Sequence, residues 1–283
     1  MYIVDVHGNQ RVPEILYHYT THSGFLGIAK TKTLWCTSIS YLSDGKEYLH
    51  AYDLLIERLD YKIRNSETKP LNSVSKRRLS SIKKGLSQLG TSAFFVGSLS
   101  EKKDLLSQWR AYSSGVDGIC IGLDAKRLKK LANEQAFRLV KCVYDTEQQK
   151  DIVDNFIDKF LEKGTNLGKE QDLPILFSIH FSWLAPVLKH ESFQEEQEWR
   201  LISYQMSVDN PKIDVHKDSS ILIPHFNFDL IQEEEELNLK ELVIGPSNNQ
   251  ELASISIQAT AIKYSVKLKH LTFSNSPYKP SKY

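Results

Sequence analysis

Two carboxylates separated by one residue, Glu196 and Glu198, are the side chains of this chain best suited to do chemistry. The residues from Glu198 to Tyr204 are predicted to form a strand, and strand alternation then places both carboxylates and Arg200 on one face. Two carboxylates at this spacing repel, so we expect at least one to be hydrogen-bonded or to have a raised pKa. Trp199 and the apolar residues after Arg200 favour a core strand over a solvated edge.

A second pair of polar side chains, Ser98 and Ser100, ends the most apolar strand predicted in the first half of the chain, residues 91–100. The same alternation puts both hydroxyls on one face, where they can fix a neighbouring carboxylate or bind a ligand. Serine is also common at strand ends for purely local reasons, and this alternative stays open, above all for Ser98.

A short predicted helix follows, opened by Asp104 and containing Trp109 and Tyr112. Side chains three residues apart lie on the same side of a helix, so the two rings are expected to stack on one side. Two aromatic rings beside polar groups suit a platform for a nicotinamide or an adenine ring. Core packing explains Trp109 equally well.

His18 stands between two tyrosines in a predicted first strand, Ile15–Thr20. A single histidine in a strand is more often structural than catalytic. Beside Tyr19 and Thr20, the alternative is that it donates a hydrogen bond to a ribose hydroxyl, which leaves Tyr19 free to pack.

Together, the residues named above fit an enzyme that cleaves the nicotinamide–ribose bond of NAD. An enzyme for this reaction must hold the nicotinamide and its ribose in a strained pose and stabilise the positive charge that appears on the ribose carbon. A carboxylate beside that carbon supplies the stabilisation, and it can also engage the ribose hydroxyls or activate the incoming nucleophile. The sequence therefore predicts NAD as a substrate and no metal, because no acidic cluster has metal-site spacing.

Strands and short helices that alternate along the chain must position these residues. The predicted helices are Gly24–Lys30, Tyr48–Arg64, Asp104–Tyr112, Lys126–Asn133, Asp151–Lys163 and Leu173–Leu188. The predicted strands beyond those above are Thr33–Ser38, Gly118–Leu123, Arg138–Tyr144, Ser219–Pro224, Leu239–Ile244 and Ser265–Phe273. No repeat or flexible linker interrupts them, so we expect one mixed α+β domain over residues 1–283, in which 16–20, 93–100 and 198–203 are neighbouring strands.

Composition favours a soluble protein in the cytoplasm. Lys and Arg number 36 against 35 Asp and Glu, so no global basic field indicates nucleic-acid binding. The first residues do not resemble a signal peptide, and no window approaches the roughly 18 apolar residues needed to span a membrane. Cys36, Cys120 and Cys142 are predicted to be buried free thiols.

One local exception to the charge balance is the basic stretch, residues 58–84, which holds nine Lys or Arg and two acidic residues. Charge runs usually face water, so the first interpretation is a solvated helical hairpin. The alternative is a docking face for nucleic acid or another acidic partner.

The sequence from about Leu16 to Tyr278 resembles a bacterial family known mainly as a domain of unknown function, numbered 2971. The resemblance rests on the strings Leu16-Tyr17-His18-Tyr19-Thr20, Leu34-Trp35-Cys36-Thr37-Ser38, Ser98-Leu99-Ser100 with Asp104, Trp109 and Tyr112, Gly118-Ile119-Cys120-Ile121-Gly122, Leu188-Lys189-His190, Glu196-Gln197-Glu198-Trp199-Arg200, Val243-Ile244-Gly245-Pro246-Ser247 and Ser274-Asn275-Ser276-Pro277-Tyr278. The family name carries no activity.

The order His18, Ser98-x-Ser100 and Glu196-x-Glu198 also resembles ADP-ribosyltransferases. This resemblance implies an α+β fold with a mixed, mainly antiparallel sheet core and helical insertions, here a basic one near 49–90 and another near 151–190. It implies catalytic roles for Glu198, Glu196 and Ser100, with Glu196 helping to choose the acceptor. It implies NAD-binding roles for His18, Tyr19, Thr20, Ser38, Ser98, Asp104, Trp109, Tyr112 and Arg200. His18 stands where the class with Ser-x-Ser and Glu-x-Glu usually has arginine.

The transferase hypothesis implies a toxin-like or phage-defence protein that modifies a protein or a nucleic acid, with an antitoxin or regulatory protein as a further partner. NAD hydrolysis, in which water replaces the acceptor, is the nearest alternative. An alternative from another class is a non-catalytic binding module in which Asp104, Glu196, Glu198 and Arg200 form a structural ion-pair network.

Overall fold

A computed structural model describes residues 11–41, 45–65, 73–85, 94–112, 118–163, 170–218, 220–232, 235–247 and 249–276. The strands of this part of the chain are β1 (Ile15–Thr21), β2 (Thr33–Ser38), β3 (Phe95–Ser100), β4 (Gly118–Asp124), β5 (Phe137–Lys141), β6 (Glu198–Ser203), β7 (Ile213–Asp218), β8 (Ile221–Asp229), β9 (Leu237–Leu239), β10 (Glu241–Ile244), β11 (Val266–Leu268) and β12 (Leu271–Phe273). The α-helices are α1 (His22–Thr31), α2 (Gly45–Arg64), α3 (Ser73–Gly85), α4 (Leu106–Tyr112), α5 (Ala125–Glu134), α6 (Thr146–Lys163), α7 (Leu173–Leu184) and α8 (Gln250–Lys263).

Ten of the described strands form one mixed, mainly antiparallel sheet, which confirms the predicted α+β class with helices around a sheet. The main path of the sheet runs β12-β10-β4-β1-β3-β2-β8-β7, with β6 joined to β3 and β5 joined to β6. The pair β10–β12 is parallel, whereas the other ladders of this sheet are antiparallel. Because β3 pairs with β1, β2 and β6, it is the branch point of the sheet.

The three strands predicted to be neighbours do pair. Ser98 lies opposite Arg200 and Ser100 lies opposite Glu198, while Ser100 also lies opposite Tyr17 of β1. Residues 91–93, at the predicted start of this strand, lie outside the described residues. β1 and β3 pair only at Tyr17 and Ser100, although β1 follows β4 over its whole length. The two strands therefore diverge after this one pair, and the sheet is split beside β3.

Two separate apolar clusters cover the two faces of the sheet around this split. On one face, α1, α5 and α8 pack with Leu99, Leu201 and other inward residues of the strands. On the other face, α2, α3, α6 and α7 pack on one another and on Ile202. The helical segments predicted near 49–90 and 151–190 therefore share one core, as far as the described residues extend. Ile202 continues the strand face that carries Glu198 and Arg200.

Local chemistry explains where the structure departs from the predicted element bounds. α1 begins at His22, two residues before the predicted start at Gly24, because the Thr21 side chain caps the helix by accepting a hydrogen bond from the Gly24 N–H. The apolar run predicted as one helix to Leu188 ends at Leu184 and continues as a 3-10 helix, Ala185–Val187, since Pro186 cannot donate within an α-helix. The strand predicted over 219–224 is β8, which begins at Ile221, extends to Asp229 and forms a hairpin with β7.

Two further predictions concern the cysteines and the membrane. Cys36, Cys120 and Cys142 are buried free thiols, as predicted. No helix among the described residues combines the length and the apolar character needed to cross a membrane.

Close packing between β3, β2 and β6 yields a test of the fold. A Cβ atom at Gly97 would lie 2.8 Å from Sγ of Cys36 and 3.6 Å from Cβ of Leu201. We expect Gly97→Ala to lower the free energy of unfolding by about 1–3 kcal/mol, because the added methyl overpacks the core. Urea unfolding measures the loss, and adding Cys36→Ala should recover part of it, since Sγ is the clashing atom. Strictly additive effects of the two substitutions would contradict this packing.

Candidate active site

Seven of the residues predicted for the site line one small cavity beside the split in the sheet. They are His18, Tyr19, Ser98, Ser100, Tyr112, Glu196 and Glu198. Tyr17, Leu99 and Gln108 complete the wall. The cavity has a volume of about 30 Å³, which is room for one or two water molecules. Residues up to 180 positions apart in the sequence are thus brought together by the pairing of β1, β3 and β6.

Glu198, the first residue of β6, is a buried carboxylate held by two cations. Its Oε1 accepts from Nε of Arg200 at 2.8 Å, and its Oε2 accepts from the Arg200 guanidinium at 3.0 Å and from Nζ of Lys189 at 2.7 Å. The side chains of all three residues are 5–6% exposed. The Glu198 N–H donates to the Tyr144 hydroxyl at 2.9 Å, and Arg200 also donates to the carbonyl of Pro186. Every charged group in this cluster is therefore paired.

Lys189 joins both carboxylates of the predicted pair and is the main residue that the sequence analysis missed. Besides Glu198, its ammonium group donates to Oε2 of Glu196 at 2.5 Å. The available signal was a single cation directly after the apolar run that ends at Leu188, where a charge is costly unless it is paired.

Glu196 and Glu198 meet at Lys189 for a different reason from the one predicted. Glu196 ends a 3-10 helix, Glu191–Glu196, and lies outside the strand. Gln197 then adopts a left-handed backbone with φ of 43°, so strand alternation does not relate the two carboxylates. The expectation of one strand face is wrong for Glu196 and right for Glu198 and Arg200. The shared cation, and not the strand pleat, brings the pair together.

The electrostatics of the cluster favour a charged Glu198. Burial raises the pKa of this carboxyl, but Arg200 and Lys189 lower it by more, and the pKa of Glu198 falls to about 2. Of the two expected outcomes for the carboxylate pair, hydrogen bonding is therefore the one found for Glu198. The formal charges of Glu196, Lys189, Glu198 and Arg200 cancel.

Ser98 and Ser100 both form hydrogen bonds at the cavity that involve backbone groups. The Ser100 hydroxyl donates to the Glu196 carbonyl at 2.6 Å and accepts from the Lys102 N–H at 2.9 Å, so it fixes the loop that carries Glu196. Ser98 contributes its carbonyl oxygen, which accepts from Nδ1 of His18 at 3.1 Å. This hydrogen bond spans the gap where the β1–β3 ladder has ended.

His18 is neutral at pH 7, because burial lowers its pKa by more than the Ser98 carbonyl raises it. A carbonyl oxygen only accepts, so Nδ1 carries the proton and Nε2 is the acceptor nitrogen. The expectation that His18 donates to a ribose hydroxyl is thereby changed: in this tautomer it accepts a hydrogen bond from one.

His18 also lines a larger cleft of about 470 Å³ that lies between β1, α1 and β2. Thr20, Ser23 and Gly24 form one side of this cleft, and Trp35, which is half exposed, lies on the β2 side. The Trp35 ring stacks on His216 with the centroids 4.8 Å apart. The volume is within the range of small-molecule sites, roughly 300–1,000 Å³. Thr20 thus belongs to the cleft and not to the small cavity.

Four predicted residues have roles away from the cavity wall. Asp104 accepts from the Trp109 indole N–H at 2.6 Å and from the Ser274 hydroxyl at 2.5 Å, so it has no place in the Glu198 ion-pair network. Trp109 is 1% exposed and packs edge-on against Tyr19, which makes it a core residue and not an open platform. Ser38 is buried and lines neither the cavity nor the cleft. Arg200, the fourth, acts through Glu198.

Tyr19 and Tyr112 both line the cavity, but they differ in hydrogen bonding and in solvent exposure. The Tyr19 hydroxyl donates to the Lys102 carbonyl and accepts from the Leu105 N–H, so it is committed to the structure. Tyr112 is 46% exposed at the end of α4. Burial of the phenol group and the negative charge of Glu198 raise the pKa of Tyr112 to about 12. Tyr112 is therefore a neutral side chain at the rim of the cavity.

Comparison with known proteins supports one of the resemblances that the sequence predicts. A family model described as "Protein of unknown function (DUF2971)" matches residues 108–201. The predicted resemblance to this family is thus confirmed over a segment that runs from the cavity wall at Gln108 into β6. No curated protein and no solved structure matches the chain.

The ion-pair network predicts how stability depends on pH. The folded-state pKa of Glu198 is about 2 against an ordinary value of 4.5, so its stabilisation is present above pH 4.5 and is lost as the pH falls toward 2. At pH 7 we expect Glu198→Gln to lower the free energy of unfolding by about 3–5 kcal/mol, because two buried cations lose their partner. The difference from wild type should shrink below pH 4.5. A pH-independent difference in urea unfolding would show that Glu198 is not held as a charged group.

Proposed function

We propose that the protein binds NAD across the split in the sheet and cleaves the nicotinamide–ribose bond, transferring ADP-ribose to a macromolecule. The observation that carries the proposal is the convergence of His18, Ser98, Ser100 and Glu198 on one cavity. These residues come from three separate strands, and the resemblance to ADP-ribosyltransferases rests on the same three strings. NAD is the cosubstrate of this proposal, and it requires no metal.

The proposed path for the dinucleotide runs from the cleft to the small cavity, because His18 lines both. The cleft is large enough for a nucleotide, and the half-exposed Trp35 offers an aromatic ring for a base. Nε2 of His18 is an acceptor for a ribose hydroxyl at the junction of the two spaces. The reacting ribose carbon would then lie toward the carboxylates.

A nicotinamide ring does not fit a cavity the size of one or two water molecules, so the proposal requires the rim to open. Tyr112 is the rim residue with the largest exposed fraction, so the proposal assigns the opening to rotation of this side chain. Closing the phenol ring over a bound nicotinamide would also exclude water from the reacting bond.

The two carboxylates offer different capacities for charge stabilisation. Glu198 is already neutralised by Lys189 and Arg200, which reduces its effect on a positive charge on the ribose carbon. Glu196 pairs with Lys189 and its side chain is 17% exposed. We assign Glu198 to the reacting carbon, as the motif implies, and Glu196 to the incoming acceptor.

The acceptor is proposed to be a protein or a nucleic acid. The basic stretch gives limited support to a nucleic-acid acceptor, because three of its described cations have acidic partners within the chain. Arg58 pairs with Asp154, Lys62 with Asp158 and Lys83 with Asp60. These pairs favour the interpretation of the stretch as a helical face that packs and faces water. Lys69 lies outside the described residues.

A second candidate is a non-catalytic module in which the buried network is purely structural. The complete pairing of Glu198 favours it, because a carboxylate with two bound cations and a low pKa is fully explained by stability alone. In this case the cleft beside His18 would bind a ligand without chemistry.

Release of nicotinamide from NAD separates the two candidates. We expect Glu198→Gln to lower the rate by roughly 100-fold or more, since one preorganised electrostatic group contributes about 3 kcal/mol or more to the barrier. The matched control is Glu241→Gln, which removes a buried carboxylate bonded to Lys103 and Tyr17 but outside the cavity wall. Both variants are assayed at a temperature where circular dichroism shows them folded.

Glu198→Gln leaves the buried cations Lys189 and Arg200 without their charged partner, so the folded fraction of each variant must be measured. If both variants turn over NAD in proportion to their folded fraction, Glu198 has a structural role and the second candidate is favoured. Labelled NAD with and without cell extract then separates hydrolysis from transfer. Glu196→Gln is expected to change that ratio while nicotinamide release continues.

NAD binding provides an independent prediction at His18. We expect His18→Ala to weaken binding by about tenfold, the cost of roughly one hydrogen bond in a buried site. His180→Ala, which removes a histidine from α7 in the other apolar cluster, is the control and should leave binding unchanged. Because the pKa of His18 is lowered, wild-type binding should persist at pH 6.5 and weaken only at lower pH. Calorimetric titration with NAD measures both effects, and equal affinities for the two variants would count against the proposed path.

A further inference from the structure

A further large cavity, here called the basic pocket, lies between α5 and the small sheet formed by β9 and β11. Its volume is about 760 Å³, within the range of small-molecule sites, roughly 300–1,000 Å³. Six of its ten lining residues are cationic, and Asp124 is the one acid among them. The cations are Lys126, Arg127, Lys130, Lys240, Lys267 and Lys269. None of these residues lines the cavity or the cleft of the proposed NAD site.

One wall of the basic pocket is the first turn of α5. Lys126 and Arg127 are the second and third residues of this helix, whose first turn carries no acidic residue. Cations are unfavourable at this position, because the helix macrodipole places partial positive charge at the N-terminus. Asp124 offsets part of the charge as the N-cap, accepting from the Arg127 N–H at 2.9 Å. An anion at this wall would be stabilised by both the side chains and the helix end.

A second wall is one face of the β9–β11 pair. The two strands are parallel, with Asn238 opposite Lys267. The ladder continues through a hydrogen bond from the Lys269 N–H to the Leu239 carbonyl at 3.1 Å. Lys240 and Lys269 therefore occupy the next position on this face, two residues beyond Asn238 and Lys267. Like charges on neighbouring strands repel, so this wall also favours a bound anion.

The positive charge of the pocket is only partly neutralised by the described part of the chain. Lys126 and Lys269 are exposed and form no ion pair with a described residue. Lys130 reaches Glu134 only at 3.8 Å, with 65% of its side chain exposed. Lys126 and Lys130 belong to the helix wall and Lys269 to the strand wall, so uncompensated charge enters the same space from both sides.

Two carboxylates from the segment before β9 already approach the pocket as anions. Glu235 pairs with Arg127, and Glu236 pairs with Lys267 at 2.5 Å. One carboxylate thus reaches a cation of each wall. Both pairs are partly exposed and therefore weak, so a ligand with a higher charge density can replace them.

We propose that the basic pocket binds a small molecule that carries several linked phosphate groups. Each phosphate brings up to two negative charges and three acceptor oxygens, which matches this density of cations better than a carboxylate does. Because the cations lie on two walls, at least two phosphates are needed to contact both. None of the described lining residues is aromatic, so recognition rests on the phosphates and not on stacking with a base. A concave space favours a small ligand over a nucleic-acid backbone, which follows a continuous basic stripe.

Calorimetric titration with inorganic tripolyphosphate at physiological ionic strength tests the proposal. Wild type should bind it, whereas orthophosphate should bind about tenfold more weakly or less, because a single phosphate cannot contact both walls. We expect Lys126→Gln and Lys269→Gln each to weaken tripolyphosphate binding by about tenfold, since each removes one charge-assisted hydrogen bond. Lys159→Gln, which removes an exposed lysine from α6, is the control and should bind like wild type. All three lysines are exposed, and thermal unfolding verifies that the variants fold.

Glu236→Gln tests the pocket in the opposite direction. Removing the carboxylate that competes for Lys267 should tighten tripolyphosphate binding by about twofold to fivefold, the scale of a partly exposed ion pair. His18→Ala should leave this binding unchanged, so the basic pocket and the proposed NAD site succeed or fail separately.

Three results would overturn the proposal. Tripolyphosphate does not bind, the Lys126→Gln and Lys269→Gln variants bind it like wild type, or Glu236→Gln does not tighten binding. A single-stranded oligonucleotide is the competing probe. If it binds more tightly than tripolyphosphate and the same two lysine variants weaken its binding, the surface recognises a nucleic acid and the assignment of a small ligand is wrong.

Discussion

Glu198 lies in the interior with Arg200 and Lys189, where leaving any one of these charges unpaired would cost several kcal/mol. The need to pair these charges also constrains the segments that carry them. Arg200 belongs to β6, whereas Lys189 follows the 3-10 helix at the end of the α7 region, so the ion pairs join the sheet to the helical cluster. The Pro186 carbonyl from that 3-10 helix and the Tyr144 hydroxyl from the segment between β5 and α6 also form hydrogen bonds with this centre. The position of the helices on this face is therefore tied to the chemistry of the cavity.

The split beside β3 is the second feature on which the site depends. A sheet that continued from β1 to β3 would close the space that the cavity and the cleft now occupy. Where the ladder ends, the Ser98 carbonyl would be left unpaired in a buried place, and Nδ1 of His18 satisfies it. His18 therefore supports the open edge of the sheet and also orients its own Nε2 as an acceptor. This one side chain thus combines a structural role with the proposed ligand-binding role.

Charged residues on the outside of the helical cluster also form pairs between elements. Arg58 and Lys62 of α2 face Asp154 and Asp158 of α6, so the packing of these two helices is accompanied by paired charges along their shared surface. Pairs at such partly exposed positions contribute little free energy each, about 0–1 kcal/mol, but they fix which faces meet. A basic run in the sequence is thus compatible with a face that serves helix packing.

Much of the architecture was already determined by the sequence. The apolar runs and alternation in β1, β3, β4 and β6 were sufficient to predict these strands, because burial on a pleated sheet imposes a period of two. The same patterns indicated that Ser98, Ser100 and Glu198 come together, since they end or begin buried strands.

Only the tertiary structure decided which charges pair and where the sheet opens. Lys189 becomes part of the site because a separate segment passes beside β6, and no local period encodes that contact. The left-handed backbone at Gln197 removes Glu196 from the strand, a departure that a pattern of side-chain types does not reveal. Trp109, a candidate platform by spacing, is buried because the packing of α4 against β1 covers it. Local propensity and periodicity specify the elements, whereas desolvation of charges and the pairing of distant segments specify the site.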